Sequence, residues 1–111
     1  MATGRLGAAA PGATTWTQAY AVPLTTFAVV TLSIANRGAS AMTVRVALTT
    51  TVAPGTPANT EFLEYDSTVI ANGVLERTGI VMDAVQARYL NVYTSNANAS
   101  VVVYGIETST A

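Results

Sequence analysis

This sequence predicts an all-β domain, an antiparallel β-sandwich of about seven or eight strands with jelly-roll or Ig-like winding. Three observations carry that expectation. Apolar and polar residues alternate with a period of two along most of the chain, as half-buried strands require. Clusters of Gly, Pro, Asn and Ser interrupt the alternation at short intervals. No segment repeats its apolar residues at the helical period.

The elements follow in order. The opening MATGRLGAAAPGA holds Gly4, Gly7, Gly12, Pro11 and five alanines, too little to pack an element of its own. Residues 1–13 therefore read as a flexible N-terminal arm, and 14–111 as a single sandwich domain. A neighbouring subunit is the natural agent to order such an arm. A weak strand covers 15–21 (TWTQAYA). A stronger one covers 26–35, where Ala28, Val30, Leu32 and Ile34 share a face. Asn36–Ser40 is a turn-rich loop. Met42–Thr49 alternates most cleanly, with Met42, Val44, Val46 and Leu48 on one side and Thr43, Arg45, Ala47 and Thr49 on the other.

Thr50–Asn59, with Pro54-Gly55 and Pro57, reads as a presented loop. Two short strands are expected at 61–65 and 67–71. Asn72-Gly73 then signals a type I′ hairpin into 74–82. Alternation in 74–82 sets Val74, Glu76, Thr78, Ile80 and Met82 against Leu75, Arg77, Gly79, Val81 and Asp83. Glu76 and Arg77 thus point to opposite faces, and each is expected to meet a cross-strand partner of opposite sign. In 87–94, Arg88, Leu90 and Val92 oppose Tyr89, Asn91 and Tyr93. The last strand, 100–107, is apolar on both faces and so reads as central or as an interface. The stretches 30–48 and 87–106 both read strand, Asn-containing loop, strand. They are two similar hairpins of a pseudo-symmetric sandwich, or a chance likeness.

Composition narrows function. Half of the 111 residues are hydrophobic, net charge is −1, and the five cations are the scattered arginines Arg5, Arg37, Arg45, Arg77 and Arg88. No basic stripe exists for a nucleic-acid backbone. The chain has no Cys and no His, which removes disulfides, thiolate chemistry, and the usual neutral-pH base and metal ligand. No apolar run is long enough to span a membrane, so a soluble domain is expected. Serine and threonine are plentiful, but no histidine or lysine is present to activate them.

The acids concentrate in Glu61-Phe-Leu-Glu64-Tyr-Asp66. Glu64 and Asp66, two residues apart, would share a face and hold a hard cation, or else meet solvent or an arginine; the second reading is preferred, since a strand offers few converging oxygens. Glu64 and Glu76 would make a glycosidase-like pair only across a cleft that nothing in the sequence indicates. Tyr20, Tyr65, Tyr89, Tyr93 and Tyr104, with Trp16, would serve either core packing or a sugar- or partner-binding platform. Asn98-Ala99-Ser100 is a glycosylation sequon that matters only in a secretory pathway. No catalytic residue, cofactor, metal or small-molecule substrate is expected.

The run EFLEYDSTVIANGVLERTGIVM (61–82), the ending SVVVYGIE (100–107) and the segment IANRGASAMTVRVAL (34–48) resemble small β-sandwich virion structural proteins of tailed bacteriophages, of the cyanophage type. The resemblance spans roughly residues 25–107. One departure is Asp83-Ala84-Val85-Gln86, where such sequences commonly carry a Gly-containing turn. The resemblance implies a non-enzymatic protein on the capsid exterior, decorating or cementing the shell. Its partners would be the major capsid protein and copies of itself, as a homotrimer. A tail or fibre component that binds a receptor or glycan is the alternative. The expected contact residues are Arg5, Leu6, Trp16, Tyr20, Pro54 and Pro57, and removal of 2–12 is expected to leave the sandwich folded but to weaken capsid attachment.

Overall fold

The computed structural model describes residues 3–50 and 57–110, and every regular element among them is a strand. In order these are β1 (Thr3–Ala9), β2 (Thr17–Ala21), β3 (Thr26–Asn36), β4 (Met42–Thr49), β5 (Phe62–Val69), β6 (Val74–Asp83), β7 (Tyr89–Thr94) and β8 (Ala99–Ser109). Sheet I runs β1-β8-β3-β6 and sheet II runs β2-β7-β4-β5. The ladders β1–β8, β2–β7, β3–β6 and β4–β5 are all antiparallel. The chain is thus one long ribbon, doubled back between β4 and β5 and rolled so that successive pairs fall in alternate sheets. That winding is a jelly roll, which decides between the two sandwich types expected.

Alternation fills the space between the sheets. Ala28, Val30, Leu32 and Ile34 of β3, with Val101 and Val103 of β8, face Val44 and Val46 of β4 and Leu90 and Val92 of β7. Ile80 and Met82 complete the core from β6. Truncating a side chain as deep as Leu32 to alanine would cost about 2–5 kcal/mol. The β8 segment is an inner strand of sheet I, as its two apolar faces predict.

Several expectations are corrected. Thr3–Ala9 is not a free arm: it pairs with β8, from Thr3 opposite Ile106 to Ala9 opposite Val101. An edge strand needs only main-chain pairing, which Gly and Ala supply without side-chain packing, so removing 2–12 would strip β8 of its outer partner. The strands expected at 61–65 and 67–71 are one strand, β5, interrupted by a bulge where Asp66 takes φ 54°.

Asn72-Gly73 makes no hairpin, because β5 and β6 lie in different sheets. Gly73 N–H donates to the Ile70 carbonyl at 2.9 Å, and Asn72 is left-handed at φ 58°, closing a tight turn that crosses between layers. Buried Asn36 braces it, its Nδ2 donating to the carbonyls of Ser40, Val69 and Ile70. The stretches 30–48 and 87–106 are likewise crossings between sheets, each partnering the other through β3–β8 and β4–β7.

A second bulge changes the reading of 74–82. Val30 opposes Ile80 but Leu32 opposes Arg77, so β6 carries one extra residue there, with Gly79 at φ 70°. The bulge reverses the phase. Leu75 and Arg77 therefore turn to the same side as Ile80 and Met82, and Glu76 and Val81 face out.

Candidate functional site

Charged groups are mostly committed to holding the fold. Arg77 Nη1 lies 2.6 Å from Glu64 Oε2, whose other oxygen accepts from the Ser67 hydroxyl. Arg45 Nε meets Asp66 Oδ1 at 2.7 Å, and this contact holds the Asp66 carboxyl below the usual range. Arg37 donates to the carbonyls of Ala97 and Ala99, and Arg88 to that of Val22. Glu61 accepts from Ala58 N–H, Glu76 from the Tyr104 hydroxyl, and Glu107 from the Tyr20 hydroxyl. Asp83 Oδ1 accepts from the N–H groups of Val85, Gln86 and Ala87.

The carboxylate pairs weighed from the sequence come apart. The Asp66 bulge turns Glu64 toward Arg77 and Asp66 toward Arg45, so the two do not converge on a cation. Glu76 faces outward from sheet I while Glu64 bonds between the layers, so they flank no common cleft. Among the described residues no group of three or more acids stands together as a metal cluster would require.

The two outer faces differ. On sheet II, Trp16 beside β2 and Phe62 on β5 start from opposite edges of a four-stranded sheet, roughly 14 Å apart at the strand spacing. Their ring centroids nevertheless stand 6.0 Å apart, so the side chains lean toward each other over β7 and β4. Tyr93 packs on Trp16 at 5.3 Å, and Tyr65 meets Phe62 edge-on at 5.0 Å. The Arg45 guanidinium lies 4.3 Å from the Tyr65 centroid and 5.3 Å from that of Tyr93. Outward-facing Ala47, Thr49 and Asn91 are fully buried on this face. Sheet II thus has an aromatic roof of its own.

Sheet I has none. One row of cross-strand neighbours reads Thr3, Ile106, Val29, Val81 across all four strands. Ile106 is 57% exposed and Val81 64%, and Val29 is exposed between them. The next row holds Arg5 opposite Tyr104, and the row beyond holds Glu76 opposite Ser33, itself opposite Val102. Tyr104 donates to Glu76 at 2.9 Å along the diagonal, and that bond raises the pKa of its hydroxyl. At the end of the face, Phe27 opens onto a cleft of about 580 Å³ lined by Leu24 and by the Asp83–Gln86 turn. The Asp83 cap presents Val85 at its rim, 77% exposed. Exposed apolar side chains thus lie side by side on three adjacent strands of this face.

The expected contact residues are dispersed. Arg5 is exposed on the sheet I face, and among the described residues it meets no carboxylate. Leu6 packs against the core. Tyr20 is 6% exposed and bonds Glu107 between the layers, so it offers no surface. Trp16 belongs to the sheet II roof, Pro57 is buried, and Pro54 lies outside the described residues. Of the tyrosines expected to form a platform, only Tyr65 and Tyr93 stand with Trp16; Tyr104 is on the opposite face. The reading missed Val29, Val81 and Ile106. Their signal was the outward set of apolar residues at alternate positions in strands that also have an apolar inner set. No protein-family model matches the chain, and no curated protein or solved structure matches it.

Proposed function

We propose that this chain is a virion structural protein of a tailed phage, set on the capsid exterior to decorate or cement the shell through non-covalent contacts. The observation that carries the reading is the unroofed sheet I face, with Ile106, Val29 and Val81 side by side on adjacent strands. Such a face suits contact with neighbouring protein subunits, and many copies on a lattice would multiply modest contacts. The commitment of each of the six acids to a hydrogen bond or ion pair supports a non-enzymatic role. The resemblance of residues 25–107 to small phage virion proteins supplies the setting.

Quantitative mass spectrometry of purified particles tests the reading through copy number per virion. Hundreds of copies in fixed ratio to the shell subunit are expected, and absence from particles would overturn it. A few copies per particle would favour a second reading, a tail or fibre module that binds glycans. One observation speaks for that alternative: Tyr65 is 58% exposed, with Arg45 over its ring and Phe62 at its edge, a braced surface on which a sugar ring could stack. Saturable binding to host polysaccharide, lost in Tyr65→Ala, would decide for it.

A further inference from the structure

We infer that the partner of the sheet I face is a second copy of this chain, related by a two-fold axis that runs along the strands between β8 and β3. This rests on the reading above only in taking sheet I as a contact face, and it replaces the expected three-fold arrangement with a pair. The argument comes from where the charges sit. The middle strands carry outward Phe27, Val29, Tyr104 and Ile106 and no outward charged residue of their own, and the Glu76 carboxylate leans in from β6 to the Tyr104 hydroxyl. The β1 edge carries Arg5, and the β6 edge carries Glu76. Opposite signs on opposite edges, flanking an apolar centre, make a face complementary to itself.

The register shows which axis satisfies it. Arg5 is level with Tyr104 and Thr31, and Glu76 lies one row along, level with Ser33. One row is roughly 7 Å along a strand, and packed sheets stand about 10 Å apart. An axis along the strands lays β1 of each copy over β6 of the other, bringing Arg5 within side-chain reach of Glu76 twice, once at each edge. An axis across the strands through the Arg5 row sets Arg5 against Arg5 instead, and so is disfavoured. The isologous arrangement also uses Arg5, which meets no acid or carbonyl among the described residues.

The face is small. Four strands about 5 Å apart and five rows about 7 Å apart span roughly 700 Å² in projection, toward the low end of about 600–1,000 Å² per partner for a standard interface. With one charge pair at each edge and a modest area, the pair is expected to be reversible, so that solution measurement can reach both states.

Sedimentation equilibrium of the full chain from about 1 to 300 µM tests this. The expected result is a monomer–dimer equilibrium. Arg5→Glu and Glu76→Arg should each weaken it by about tenfold or more, since each places two like-charge contacts at the interface. The double variant should recover to within a few-fold of the parent. Val81→Lys, on an exposed edge position, should abolish pairing; circular dichroism of each variant checks that the fold is kept, with Ile106→Lys as the substitute should Val81→Lys unfold. A chain that stays monomeric at 300 µM, a trimer, or a double variant no better than either single would overturn the inference. A monomer found in hundreds of copies on particles would refute the pairing and leave the virion role standing. A dimer absent from particles would do the reverse.

Discussion

Arg77 of β6 and Glu64 of β5 meet at 2.6 Å across the gap between the two sheets, at the side of the sandwich where both strands are edges. On the other side, Tyr20 of β2 donates to Glu107 of β8, again from one sheet to the other. A polar contact thus bridges the two sheets on each side of the roll. On the β5–β6 side the pair keeps part of its surface in water, whereas on the other side Tyr20 is buried and Gly7 of β1 comes close against Ala19 of β2.

The Arg77–Glu64 latch is half-exposed, so its contribution should be modest. Arg77→Ala is expected to lower stability by about 1 kcal/mol, within the range for partly solvated pairs. Glu64→Gln should cost a similar amount or less, and both losses should shrink in high salt. Urea unfolding at low and high ionic strength measures this. A loss above about 3 kcal/mol would mean that Glu64 is left stranded without water, contrary to its partial exposure.

Gly79 places Arg77 for that latch. Its φ of 70° suits glycine, and nothing lies within 4 Å of where a Cβ would stand, so a substitution meets only backbone strain. Gly79→Ala should cost about 1–2 kcal/mol, and Gly79→Asn clearly less, because Asn tolerates the left-handed region. Equal losses for the two variants would contradict the bulge.

Tyr20 should make stability fall in alkali. Burial, and then the bond and charge of Glu107, favour its neutral form and raise its pKa above the ordinary value of about 10. A raised pKa gives a contribution that is complete below pH about 10 and is lost as pH rises from there through the folded value. Tyr20→Phe should remove that alkaline dependence and cost about 1–3 kcal/mol at neutral pH. Thermal melts between pH 7 and 11 compare the two proteins. Parallel curves would show that the bond does not join the sheets.

Asp83 works in the opposite direction. Hydrogen bonds from Val85, Gln86 and Ala87 hold its carboxyl below the ordinary value of about 3.9. Its support for the turn is therefore complete above that pH and fades as pH falls through the lower folded value. In Asp83→Ala at neutral pH, the amides of Val85, Gln86 and Ala87 should exchange with solvent about tenfold faster or more. Unchanged exchange would mean that the turn holds without its carboxylate.

What the sequence determined by itself is the local and periodic part of this protein. Met42–Thr49 was legible to the residue because an unbroken alternation ties each side chain to one face. The shared face of Ala28, Val30, Leu32 and Ile34 in β3 and the two opposed faces of β7 followed for the same reason, as did the all-β class; for β8, apolar on both faces, alternation alone named no inner side. Tertiary structure alone decided what depends on pairing between distant strands. Whether Asn72-Gly73 joins two strands of one sheet or crosses between sheets depends on the partners of β5 and β6, which no local signal names. One extra residue at Gly79 or Asp66 reverses the face of everything beyond it, so Arg77 turns inward and Glu64 parts from Asp66. The Gly- and Ala-rich opening became β1 because β8 had an unpaired edge to offer, a property of β8's position and not of the residues 3–9 themselves. The bare face of sheet I has the same origin: alternation identifies its outward residues, but only the roll shows that no part of the described chain returns to cover them.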